Sequence, residues 1–262
     1  MKTLVFAHAN SFPAGCYRRL FDHWRAAGWR VEAPDRFGHD PRYPVTDGWR
    51  HLRDELIEYI ERDVRPDGPV AVVGHSLGGM LGLMAVCRRP ELVNRLVLLD
   101  SPVVAGVKAG VIGVARRVGL MHRYPPSRIA RDRRDHWPDR AALHAHFASK
   151  AAFAAWHPQA LQDYLDAGFE DADDGVRLRF RRDVESHIYR AVPHHFGPLL
   201  RRHPPACPVG FIAGTQSTEL RMAGIPASRR LAGARWRWVE GTHLYPFERP
   251  DDTARMVVEL LD

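Results

Sequence analysis

The stretch Val70–Met80, VAVVGHSLGGM, constrains the fold more than any other part of this chain. A short apolar run rich in β-branched valine stops at Ser76, which has Gly74 two residues before it and Gly78 two residues after it. An apolar helix-forming run follows at once. The plain reading is a strand, a loop and a serine helix cap. The glycines point to something sharper. A very tight strand-to-helix turn presses the flanking residues against the serine backbone, where a Cβ would clash. Such a turn strains the serine and holds its hydroxyl above the sheet, exposed to a ligand. Gly79 then lets the helix pack closely. The pentapeptide alone says little, but its position between a buried strand and a helix makes Ser76 a candidate nucleophile.

The flanking sequence predicts alternating strands and helices: strand 2–7, helix 16–27 closed by Gly28, and strand 29–35 ending in a Pro-Asp turn signal. Leu52, Leu56, Ile60 and Val64 form one buried stripe of a helix over 47–65, with Asp47 as its cap and Pro66 past its end. Strand 69–73, helix 77–89 and strand 95–100 follow. This alternation predicts an α/β fold with a mostly parallel sheet and helices on both faces. The rhythm stops after Asp100 and resumes with strand 208–214, a helix over 219–232, strand 234–240 and a final helix 251–261. The domain reading is therefore a core of residues 1–100 and 206–262, interrupted by a mostly helical insertion, 101–205. Within it, 146–169 reads as a helical hairpin whose second helix Pro158 helps to start, and 185–200 as helical up to Val192.

Composition narrows the function classes. A chain of 262 residues with 45% hydrophobic and 26% charged residues is ordinary for a globular protein. No apolar run approaches the length of a membrane span, and the opening MKTLVFAHAN carries too short an apolar run for a signal peptide. A cytoplasmic location is the expectation. Cys16, Cys87 and Cys207 lie far apart, which argues for reduced thiols. The net charge of +7 raises the question of nucleic acid. Yet only Lys2, Lys108 and Lys150 are lysines among 38 basic residues, a skew that fits base composition better than a binding tract. No metal-ligand spacing occurs, since His144 and His146 would diverge on a helix. Neither a metal nor another cofactor is expected.

Four motifs in order, FAHANSFPAG after the first strand, PDRFGHD after the second, GHSLGG after the third and GTHLYPFERP near the end, resemble those of the α/β-hydrolases. The resemblance spans the core. It implies that 101–205 is a cap over the active site. It also gives His243, in the loop between the last strand and last helix, the role of general base for Ser76, whose hydroxyl is a weak nucleophile without one. The oxyanion hole would use the Leu77 N–H and a second backbone N–H from the loop 8–15. His8-Ala9-Asn10-Ser11 stands where His-Gly is usual, so the second donor is Asn10, with Ser11 and Phe12 as alternatives.

The acid of the triad is the open question. The family pattern places it three residues beyond the glycine after the post-cap strand, and here that position holds Ser217. Asp100, at the end of strand 95–100, is the first candidate, because some family members take their acid from that strand; Glu219 is the alternative. The bland role for Asp100 is to bond the turn that comes after it.

Trp137, Phe147, Phe153, Trp156, Tyr164, Phe169, Tyr189 and Phe196 in the insertion either face the serine, selecting an apolar group, or form the insertion's own core. The leading reading is a serine hydrolase acting on a small-molecule ester, lactone or thioester through an acyl-enzyme. C–C hydrolysis and acyl transfer would use the same parts. A ligand-binding protein that has lost turnover draws its support from the absent acid at 217. An RNA- or membrane-binding protein using the arginine-rich insertion would show steep salt dependence.

Overall fold

The computed structural model of the chain describes residues 2–262. Its centre is a six-stranded, wholly parallel sheet in the order Arg30–Glu32, Thr3–Ala7, Val70–His75, Val93–Leu99, Val209–Gly214, Trp236–Val239. The first half contributes β1 (Thr3–Ala7), α1 (Arg18–Ala26), β2 (Arg30–Glu32), α2 (Arg50–Glu58), β3 (Val70–His75), α3 (Leu77–Arg88) and β4 (Val93–Leu99). Alternate residues of each strand feed two cores, as the period of two requires. Leu4, Phe6, Val73 and Leu99 pack with Trp24 and Val257 on one face. Val5, Ala7, Val72 and Leu98 pack with Leu56 and Leu81 on the other.

Between β4 and β8 the chain forms α4 (Gly106–Arg117), α5 (Pro125–Asp132), β5 (His136–Trp137), α6 (Arg140–Ala148), α7 (Ala151–Ala154), α8 (Pro158–Ala167), β6 (Phe169–Ala172), β7 (Gly175–Leu178), α9 (Arg182–Arg190) and α10 (Phe196–Arg202). The core then closes with β8 (Val209–Gly214), α11 (Thr218–Ala223), α12 (Ile225–Ala232), β9 (Trp236–Val239), α13 (Tyr245–Glu248) and α14 (Pro250–Leu261). Among the described residues no helix is long and apolar enough to cross a membrane.

Several elements depart from the sequence reading. The segment 101–205 holds, beside its helices, a second antiparallel sheet in the order β5-β7-β6. Its hairpin turns at Asp173–Asp174, before Gly175 with φ 137°. The span 146–169 is three short helices and the start of β6 instead of one hairpin. The helix expected over 47–65 begins with a 3-10 turn, Asp47–Trp49, is kinked at Trp49 (φ 58°), and ends in π winding over Tyr59–Val64. The stripe explains the end: a strict four-residue spacing drifts around an α-helix of 3.6 residues per turn, and wider winding keeps buried Ile60 and Val64 on the same face as Leu56. Asp47 does not cap; its carboxylate pairs with Arg116. The helix over 219–232 is split at Gly224 (φ 100°), because Pro226 lacks the N–H that a continuous helix would use.

Candidate active site

Ser76 and Asp100 are the residues immediately after paired positions His75 and Leu99 on adjacent parallel strands, so both emerge at one sheet edge. Backbone bonds hold them there, Ser76 N–H to Leu99 O and Asp100 N–H to Ile212 O, each 3.0 Å. Ser76 has φ 52° and ψ −113°, and Asp100 has φ 42°. Two non-glycine residues with positive φ at one strand edge mark stored backbone strain. The glycines are needed for contact as well as for curvature. A Cβ on Gly74 would strike the Gly78–Gly79 backbone, and one on Gly78 would strike the Ala7 and His8 carbonyls. A Cβ on Gly79 would strike Ser101.

The loop after β9 brings His243 to the same edge. Its Nε2 lies 3.0 Å from Ser76 Oγ and its Nδ1 2.6 Å from Asp100 Oδ2. Asp100 is fully buried, and its carboxylate is held from two further sides: Gly214 N–H donates to Oδ1 (3.0 Å) and Ser217 Oγ donates to Oδ2 (2.5 Å). The serine in the position expected for an acid thus serves as a hydrogen-bond donor to Asp100, just past the end of β4. Glu219 does not reach His243; its carboxylate accepts from the neighbouring Thr218 hydroxyl at the exposed start of α11. Burial opposes a charge on His243, yet the bond to Asp100, the Asp100 charge and the more distant Glu219 charge together raise its pKa above the ordinary value. The carboxylate acceptor also fixes the tautomer: Nδ1 carries the proton and Nε2 faces the serine with its lone pair.

His75, which occupies a free position in the pentapeptide, was not anticipated. It is completely buried. Its Nε2–H donates to the His243 carbonyl (2.9 Å) and its Nδ1 accepts from the Tyr17 hydroxyl (2.8 Å). Tyr17 Oη in turn accepts from Ala9 N–H (3.3 Å). Burial first, then the neighbouring His243, hold the His75 pKa well below its usual value, so the ring stays neutral. One chain of bonds therefore ties the loop after β1 to the loop that carries His243. His8 is the other unanticipated support. It donates to Ala9 O (2.8 Å), accepts from Phe37 N–H (2.9 Å), and is pushed down by burial to about 4.

Among the described residues the backbone N–H groups of Leu77, Asn10 and Ser11 have no protein acceptor. Phe12 N–H instead turns back onto Ala9 O (3.3 Å), which takes it out of the set of donors. Leu77 opens α3, where helix dipole and unpaired N–H groups favour negative charge. The insertion clasps the opposite loop. Asn10 Nδ2 donates to Glu185 O (3.1 Å), and Ser11 Oγ bonds the buried Glu185 carboxylate, which Arg133 also holds (3.1 Å). Trp137, Phe147, Tyr164 and Phe169 pack on one another, within the same buried cluster that holds Phe6 and Leu99 of the main sheet. Trp156 stacks on Phe247 of the α/β core at 4.4 Å, with Phe12 against both. A hollow of about 800 Å³ lies at the opposite sheet edge, among Lys2, Arg30, Arg95 and Asp262. Lys2, Arg30 and Arg95 stand at or near the starts of strands and Asp262 follows α14, and together they bring no nucleophile to a base, so geometry, not size, selects the candidate site.

Fold and site together define an α/β-hydrolase: residues 4–256 match the family model described as "Alpha/beta hydrolase family", and the chain belongs to that family. Among curated proteins it is similar to monoglyceride lipase of Mus musculus, 31% identical over 111 residues, 40% of this chain and 36% of that protein. It is also similar to lipase LipV of Mycobacterium tuberculosis, 41% identical over 73 residues, 28% of each chain. The matches therefore span about a third of these relatives' lengths. Among solved structures, E-2-(acetamidomethylene)succinate hydrolase superposes with a TM-score of 0.74 at 20% identity, covering 100% of this chain and 91% of that one. At that identity the likeness speaks to the fold.

Proposed function

We propose that this chain is a serine hydrolase that cleaves a carboxylic ester, lactone or thioester through an acyl-enzyme on Ser76. The observation that carries the reading is the unbroken line from Ser76 Oγ through both nitrogens of His243 to the buried Asp100 carboxylate, 3.0 and 2.6 Å per link. In this reading Ser76 Oγ attacks the substrate carbonyl while His243 Nε2 takes its proton. Asp100 orients the ring and balances the imidazolium that forms. The developing oxyanion lies between the Leu77 N–H and the N–H of Asn10 or Ser11, donors that need no reorganisation at the moment of reaction. His243 returns the proton to the leaving alcohol or thiol. Water activated by the same ring then releases the acid and restores Ser76.

The lipase names of the relatives support an ester-type substrate of small-molecule kind, and the aromatic seam of Phe12, Trp156 and Phe247 supports an apolar group on it. In the same reading residues 101–205 act as the cap, closing over the loop of Asn10 and Ser11. A fold-only ligand carrier drew its case from Ser217, and that case weakens once Ser217 is a donor to Asp100. The test is a series of p-nitrophenyl esters of increasing acyl length. Turnover is expected with the native protein and its loss with Ser76→Ala; equal rates for the two proteins would overturn the proposal.

A further inference from the structure

Helix α4 carries an apolar stripe that faces solvent. Val107 is 85% exposed, Val111 62%, Val114 61% and Val118, just past the helix end, 62%. At about 100° per residue these four positions fall within an arc of about 60°. The opposite face is the one that packs: Ala109 is buried, Gly113 lies against His194, and Arg116 bonds Val192 O and Asp47. The stripe is thus an outward face of a seated helix. It continues into Leu120, 45% exposed, and Lys108 Nζ, bonded to Met222 O (2.6 Å), brings the exposed Met222 beside it. A contiguous exposed apolar surface of this kind marks a place where something docks.

Charge indicates what. From Ser101 to Arg131 there is no acidic residue, while Lys108, Arg116, Arg117, Arg123, Arg128 and Arg131 are basic. Arg117, Arg123 and Arg128 are exposed and form no ion pair among the described residues. A second copy of this chain is disfavoured, because a two-fold interface would set one acid-free, positive segment against another. Nucleic acid would satisfy the arginines and leave the valines in water. An anionic bilayer surface satisfies both, taking the apolar stripe at the acyl boundary and the arginines among headgroups.

We propose that α4, with Leu120 and Met222, docks this protein onto the surface of an anionic lipid bilayer. The helix starts six residues after Asp100 and touches α11, whose capping residue Ser217 bonds Asp100, so the docked face adjoins the rim of the candidate site. That this would present a lipid-borne ester to Ser76 rests on the hydrolase reading; the docking itself does not.

The experiment is cosedimentation of the full chain, carrying Ser76→Ala so that binding is read without turnover, with phosphatidylcholine vesicles containing or lacking phosphatidylglycerol. Binding is expected only with phosphatidylglycerol, and to fall as salt rises. Val111→Asp with Val114→Asp should weaken it by about tenfold or more, and Arg117→Glu with Arg123→Glu should abolish the preference for anionic lipid. Thermal unfolding checks that the variants are folded, and if the valine pair unfolds, the arginine pair decides. No binding to anionic vesicles at low salt overturns the proposal, as does binding that neither pair alters. So does a concentration-dependent dimer, broken by the valine pair, in a protein that ignores vesicles, since a second copy would then own the stripe.

Discussion

Asp100→Asn changes one atom at the centre of the site, and the hydrogen bonds around that atom dictate the consequence. The carboxylate accepts from Gly214 N–H on Oδ1 and from Ser217 Oγ and His243 Nδ1 on Oδ2. An asparagine keeps its carbonyl oxygen toward the fixed Gly214 N–H and so turns its NH2 toward His243. The NH2 is a donor, and it forces His243 into the tautomer with a lone pair on Nδ1 and a proton on Nε2. That nitrogen, 3.0 Å from Ser76 Oγ, can then no longer take the serine proton. In the serine-protease triad the equivalent change lowers kcat by about 10⁴, which corresponds to about 5.5 kcal/mol of transition-state stabilisation. The same order is expected here. The pH profile carries a second signature. In the proposed mechanism His243 takes the serine proton only when neutral, and its pKa is raised, so native activity should climb with pH through an inflection above the ordinary histidine value. Asp100→Asn removes both the bond and the charge that raise it, leaves the burial that lowers it, and should move the inflection of the residual activity down. Glu219→Gln, on an exposed carboxylate bonded to Thr218, should alter kcat by no more than about threefold. The assay is kcat for a p-nitrophenyl ester between acid and mildly alkaline pH, with thermal unfolding as the check on folding. A folded Asp100→Asn protein within tenfold of native kcat, or a Glu219→Gln protein equally impaired, would refute the assignment of the acid.

Three further outcomes are expected from the same geometry. Gly78→Ala would drive a Cβ into the Ala7 carbonyl at the end of β1 and the His8 carbonyl just beyond it, both backbone groups; a loss of about 3 kcal/mol or more in urea unfolding is expected, and a stable protein would contradict the packing. His75→Phe leaves the His243 carbonyl and the Tyr17 hydroxyl without their partner; it should cost about 1–3 kcal/mol per stranded group and lower kcat with little change in KM, whereas a change in KM alone would deny it a positioning role. His8, neutral and held at about 4, binds its proton less readily folded than unfolded, so stability contributed by the neutral ring is present above pH 6.5 and is lost as pH falls toward 4. That loss amounts to about 3 kcal/mol, and a Tm unchanged over this window would contradict it.

The strand-turn-helix at Ser76 was readable because one constraint, a buried strand passing directly into a helix, needs glycine at fixed places. His243 was readable because chain order places it after the last strand. The acid was readable only as a choice, with Asp100 first and Glu219 as the alternative: Asp100 ends a strand at the edge that holds Ser76, but it and His243 are 143 residues apart in the chain, and nothing local to Asp100 shows which loop will cover it. Ser217 looks like an absence because its partner, on another strand, is invisible in one dimension. His75 hides in the variable position of its own motif. The small second sheet is hard to see in sequence because β5 has two residues and β6 and β7 four each, too few for a period to register. Asp174-Gly175, a hairpin signal, is the local cue to it. The break at Gly224-Ile225-Pro226 is likewise written in residues that interrupt helices.

Mass spectrometry after exposure to a fluorophosphonate tests most directly the idea that the bend at Ser76 and the ring of His243 together make a nucleophile. A single stoichiometric adduct is expected on the peptide that contains Ser76, absent in Ser76→Ala and formed far more slowly in His243→Ala. A folded native protein that takes no label there, or that labels as fast without the imidazole, would contradict it.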